Sequence, residues 1–123
     1  MNLNELQERI LRFEHERGWE RFKESLIYAH LIEEITEIGR HILAREGYKV
    51  EELGHAPSSG EDVGSEFAQA LTLFIQLANR FNVNLSKALE AELEKMERRF
   101  PAEKWQSYMQ GREGVKPSRG SEL

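Results

Sequence analysis

The chain has 123 residues, 32% of them charged and 39% hydrophobic, and its 22 acidic against 17 basic side chains leave a formal net charge of -5. That length suits one compact domain, and that balance suits a folded, strongly solvated chain rather than a disordered one. A negative surface offers no general attraction to nucleic acid or to anionic membranes, so a polyanionic ligand would need local help. The chain has no cysteine, which excludes a disulfide framework, a thiolate zinc site and a cysteine nucleophile. No run approaches the ~18 to 20 apolar residues of a membrane span. The start, Met1-Asn2-Leu3-Asn4-Glu5, lacks the basic and then apolar order of a signal peptide, and cytoplasmic residence is expected.

In chain order, Asn4 with Gln7 three positions later reads as a helix start, and Leu6, Ile10 and Phe13 follow at helical spacing until Gly18. A second helix is predicted from about Glu20 to Arg45, with Phe22, Leu26 or Ile27, Leu31, Ile35, Ile38 and Ile42 on its apolar stripe. Glycines 47, 54 and 60 with Pro57, Ser58 and Ser59 mark a loop over 46–60, with a short turn near Val50 to Leu53. A third helix is predicted from about Glu61 to Phe81, with a broad apolar face that includes Val63, Phe67, Ala70, Leu71, Phe74 and Leu77 and so expects cover from two sides. Asn84 or Ser86 caps a fourth helix carrying Leu89, Leu93 and Met96, which ends at Phe100-Pro101. Pro101 then opens a short last helix that Gly111 closes, and a frayed tail follows. The expectation is an all-α bundle of four to five helices, one domain over 1–110 with a flexible tail over 111–123, completed by oligomerisation.

The chemistry is concentrated in two acidic segments. Glu34 and Glu37, three apart, project from one helical face and are spaced to hold a cation between them; Glu66 and Gln69 repeat the spacing on the third helix. If those helices run antiparallel, both pairs enter one cleft. Magnesium takes carboxylate and water oxygens and assists phosphate-ester or anhydride hydrolysis, and a cation would relieve the mutual repulsion of clustered carboxylates. The alternative is that these acids are a solvated face, as Glu5, Glu8, Glu90 and Glu94 are expected to be. Glu33 belongs either to the site or to the neighbouring wet stripe. His30 and His41 share the stripe of Glu34 and Glu37 and are candidates to tune the site. The one Glu-x-x-His match, Glu52-Leu53-Gly54-His55, lies in the loop, so a carboxylate-bridged di-iron bundle is not expected. Trp19, Trp105 and Tyr28 are candidates to stack on a base or simply to pack.

Leu31-Ile32-Glu33-Glu34-Ile35-Thr36-Glu37-Ile38-Gly39, then Ser65-Glu66-Phe67-Ala68-Gln69-Ala70-Leu71, then Leu77-Ala78-Asn79-Arg80-Phe81-Asn82-Val83-Asn84-Leu85 and Leu93-Glu94-Lys95-Met96-Glu97-Arg98-Arg99-Phe100-Pro101 follow one another in this order. Over about Ile27 to Pro101 the chain resembles the MazG-like, all-α nucleoside triphosphate pyrophosphohydrolases, whose pattern is EExxE followed by ExxD. The resemblance implies magnesium-dependent conversion of a nucleoside triphosphate to the monophosphate and pyrophosphate in a homodimer or homotetramer. It implies catalytic roles for Glu33, Glu34, Glu37 and Glu66, with metal ligands at Glu34, Glu37, Glu66 and, where the family has aspartate, Gln69. Setting the motif instead on Glu61-Asp62-Val63-Gly64-Ser65 puts Ser65 at the aspartate position, so either register lacks it. Family positions for a phosphate-binding Lys and Asn fall on Glu92 and Met96; Lys95 and Arg99, four apart, are the available triphosphate contacts. These departures make a weak or inactive enzyme, or a non-catalytic nucleotide- or protein-binding module, the expected alternatives.

Overall fold

The computed structural model describes residues 1–57 and 62–113, which form α-helices, two 3-10 turns and no strand. The order is α1 (Leu3–Arg17), a 3-10 turn (Trp19–Arg21), α2 (Glu24–Arg45), a second turn (Glu51–Leu53), α3 (Val63–Arg80), α4 (Leu85–Arg99) and α5 (Ala102–Glu113). The all-α expectation therefore holds for the described residues. They group into two compact units, Met1–Leu85 and a second beginning at Ser86, where the sequence suggests one domain to residue 110.

In the first unit, α1 starts two residues earlier than expected. Asn2, not Asn4, caps it: the Asn2 Oδ1 accepts the Glu5 N–H at 2.8 Å and the Glu5 carboxylate accepts the Asn2 N–H at 3.1 Å. This reciprocal pair satisfies two otherwise orphaned donors, and the charged acceptor suits the positive helix end. Gln7 is thereby released for another task. Buried at 8% exposure, it donates to Asn79 Oδ1 and the Val83 carbonyl and accepts the Leu85 N–H, all near 3 Å, while Asn79 returns a bond to the Gln7 carbonyl. One carboxamide thus ties α1 to the end of α3. Gly18 stops α1 in the left-handed conformation, φ 71°, where a Cβ would be strained.

The segment expected to be helical from Glu20 is instead a 3-10 turn, and α2 begins at Glu24. Arg80 of α3 explains why this segment stays separate: its guanidinium donates to the Trp19 and Phe22 carbonyls, which a continuing helix would have used internally. Arg80 also lies 3.7 Å from Glu14, which is 3% exposed.

The core lies between α2 and α3, where Ile27, Leu31, Ala70 and Leu73 are buried and Ile38 and Leu77 pack against them. The two helices are antiparallel, since His41 near the end of α2 meets Glu66 near the start of α3, while Ile27 near the start of α2 lines a hollow with Leu73 and Gln76 further along α3. The buried stripe differs from the expected one. Ile35 and Ile42 are half exposed, as are Phe67, Leu71 and Phe74, whereas Glu34, Glu37 and His41 turn inward with Ile38. One helix of this length presents only one stripe to a single neighbour, and the stripe that includes Ala70 permits the closer approach.

In α3, Asp62 caps the first turn by accepting the Ser65 N–H at 2.9 Å; the expected start signal at Ser59-Gly60 lies outside the described residues. The second unit carries nearly all of α4, then Pro101 and α5. The apolar residues Leu89, Leu93 and Met96 of α4 are exposed, and Trp105 packs edge-on against Phe100 and Tyr108. The last helix runs through Gly111 to Glu113 rather than closing there, since a helical glycine costs only about 1 kcal/mol. The rest of the expected tail, 114–123, lies outside the described residues.

Candidate functional site

The inward-facing acids converge on the seam between α2 and α3. Glu66, in the first turn of α3, is 1% exposed, and its Oε2 lies 2.9 Å from His41 Nε2. Proximity to the positive N-terminal end of α3 helps a carboxylate to sit there. Glu34, with a side chain 16% exposed, has its Oε1 3.4 Å from His30 Nε2, and Glu37 has its Oε1 3.7 Å from Arg40. Each of the three acids thus has a basic side chain beside it. His41, which the sequence marks only as a candidate to tune the site, is the group that contacts its most buried carboxylate; the signal available was its seven-residue offset from Glu34 on one helical stripe.

Of the other expected residues, Glu33 and Gln69 lie off this seam. Glu33 is exposed on the wet side of α2, and Gln69 is exposed although it sits one turn after Glu66. The buried stripe of α3 runs through Glu66, Ala70, Leu73 and Leu77, so a residue three after Glu66 falls at its edge. Lys95 and Arg99 are exposed residues of the second unit, and the Arg99 guanidinium lies over the Phe100 ring at 5.2 Å.

Carboxylates are the right chemistry for a hard divalent cation. The arrangement is not: among the described residues, no three His, Asp or Glu side chains are grouped so as to hold one metal ion. With His41 against Glu66 and a base beside each of Glu34 and Glu37, the acids do not fit a magnesium ion as they stand.

A second feature of the same unit is an apolar hollow of about 300 Å³ walled by Trp19, Phe22, Leu26 and Leu73, with His30 and Gln76 as its polar members. Gln76 is 3% exposed, a carboxamide set in an apolar wall. Such a space suits a flat, mostly apolar group with a polar edge. His30 belongs both to this hollow and to the contact with Glu34, which makes hollow and acidic seam neighbours along α2.

No helix among the described residues is long and apolar enough to cross a membrane. Comparison with protein-family models, curated proteins and solved structures finds no match to this chain in any of the three.

Proposed function

We propose that this chain is a MazG-like, all-α nucleoside triphosphate pyrophosphohydrolase whose hydrolytic activity is weak or lost. The observation that carries the reading is the inversion on α2 and α3: Glu34, Glu37 and Glu66 face the seam while Ile35, Ile42 and Phe67 face outward. Packing alone favours the opposite choice, because a buried carboxylate loses hydration that a buried isoleucine does not need. Carboxylates turned inward beside a hollow are candidates to orient a ligand. Magnesium is the ion this reading calls for, and Glu34, Glu37 and Glu66 would hold it only after parting from His30, Arg40 and His41. In the same reading the apolar hollow beside Trp19 takes the base. The exposed apolar residues of α3 support assembly into a homodimer or homotetramer, which would bury them.

The second reading, a non-catalytic module that binds a nucleotide or a protein, is favoured by the basic partner already beside each acid and by the uncharged Gln69. One experiment separates the two. The purified protein and a Gln69→Asp variant are incubated with each standard ribo- and deoxyribonucleoside triphosphate and magnesium, and pyrophosphate is measured. Release by the wild type supports the enzyme, release by the variant alone supports a decayed site, and silence from both rejects hydrolysis. Calorimetry with a non-hydrolysable triphosphate then tests the binding module.

A further inference from the structure

A small hollow of mixed polar and apolar lining lies at the far end of α2, away from the apolar one. Its volume is about 150 Å³, and it is walled by Arg40 and Ala44 from the last turns of α2 and by Lys49, Glu51, His55 and Ala56 from the segment that follows. At ~30 Å³ per water this is room for about five waters, a space that admits a single phosphoryl group.

Its lining is built around a fixed imidazole. The Val50 N–H donates to His55 Nδ1 at 3.0 Å, and the His55 N–H returns a bond to the Val50 carbonyl at 3.3 Å. With Nδ1 serving as acceptor, the proton of the neutral ring sits on Nε2, so the ring keeps one N–H to donate. Tyr48 packs beside the same ring, 6.5 Å between centroids. Arg40 has its Nη1 3.7 Å from Glu37, a distance that leaves the guanidinium's fork of donors largely uncommitted. Lys49 forms no ion pair with any described residue. Against these stands one acid, Glu51. The walls therefore carry two permanent cations, one carboxylate and a neutral N–H donor, in a chain whose net charge is -5.

A helix C-terminus ordinarily disfavours an anion through its free carbonyls. Here three of the last four carbonyls of α2 are occupied: Ile42 accepts from the Glu46 N–H, Leu43 from the Tyr48 and Lys49 N–H groups, and Ala44 from the Gly47 N–H. The backbone turn that positions Lys49 thus also damps the negative end of α2. A planar fork, a point cation and an imidazole N–H on residues that line one small space are donors suited to the tetrahedral, many-acceptor surface of a phosphoryl oxyanion.

We propose that this hollow is a phosphate-class oxyanion site, open to free phosphate or pyrophosphate or to the phosphate end of a nucleotide, and independent of whether the acidic seam hydrolyses anything. The test is a residue-resolved NMR titration of the full chain with sodium phosphate, sodium pyrophosphate and ATP in turn, without magnesium and at constant ionic strength. Shifts focused on Arg40, Ala44, Lys49 and His55 are expected, and whether the free ions or only ATP elicit them identifies the source. An Arg40→Gln/Lys49→Gln double variant should bind at least about tenfold more weakly, one tenfold step being a modest loss for two charged donors. A Glu51→Gln variant should bind more tightly, because it removes the one carboxylate among the described residues of the lining. Both changes are at exposed positions, so unchanged circular dichroism is the check on folding. Shifts confined to other residues, or affinity equal in the wild type and the double variant, would overturn the proposal. Loss of hydrolysis without loss of these shifts would leave it standing.

Discussion

Replacing the Glu66 and His41 pair by apolar residues separates a side chain kept for function from one kept for stability. Glu66 is 1% exposed and lies 2.9 Å from His41, whose side chain is 26% exposed. Glu66→Leu/His41→Leu puts an apolar side chain into the seam beside Ile38. Fully burying one leucine is worth about 1.5–3 kcal/mol, and exchange of a buried ion pair for well-packed apolar residues is commonly neutral or stabilising by about 1–4 kcal/mol. The expectation is a gain of about 1–2 kcal/mol, the lower part of that range because His41 still reaches water. For a unit of 85 residues, each kcal/mol moves Tm by about 4–8 °C. His41→Leu alone should destabilise, since it removes the imidazole that lies 2.9 Å from the buried carboxylate. Urea and thermal unfolding of the wild type, both single variants and the double variant complete the cycle. A double variant less stable than the wild type by more than about 1 kcal/mol would refute the reasoning, because the pair would then be a structural element and its burial no sign of function.

Further outcomes follow from the first unit. Burial pushes the Glu14 carboxyl above its ordinary value of 4.5, against the lowering influence of Arg80 and His15 and with a small addition from Glu20. The folded state therefore holds this proton more tightly than the unfolded one, so Glu14 contributes stability below pH 4.5 that is lost as pH rises through the raised folded value. Glu14→Gln should flatten that slope in urea midpoints measured from pH 4.5 to 7.5 and be neutral or stabilising at the upper end; an unchanged slope would count against burial as the cause. Gln7→Ala strands the Leu85 N–H and the Val83 carbonyl and should cost about 1–3 kcal/mol, with faster hydrogen exchange at Leu85 as its local signature. Asn2→Ala removes the cap of α1 and should cost about 0.5–2 kcal/mol, read by thermal unfolding; no loss would return the cap to Asn4.

The helices were legible because each rests on local chemistry: Gly18 at a left-handed stop, Pro101 before the last helix, and apolar residues at helical spacing. Glu34, Glu37 and Glu66 were legible as candidates, since a three-residue offset puts the first two on one helical face, but the antiparallel pairing of α2 and α3 was only a condition of that reading. Their partners were not. His41 against Glu66, Arg80 against the Trp19 and Phe22 carbonyls, and Gln7 across to Leu85 join residues 25 to 78 positions apart, and no local pattern encodes a meeting of that kind.

Sequence by itself determined that this protein is helical, strongly charged, free of cysteine and supplied with acids on the second and third helices. Tertiary structure alone decided which stripe of each helix is inside. Several stripes of α2 and α3 are apolar enough to be buried, and periodicity ranks them nearly equally. The choice fell to packing, because Ile27, Leu31, Ala70 and Leu73 bury one another between α2 and α3, and the line they share carries Glu34, His41 and Glu66 into the seam while Ile35, Ile42 and Phe67 are left exposed.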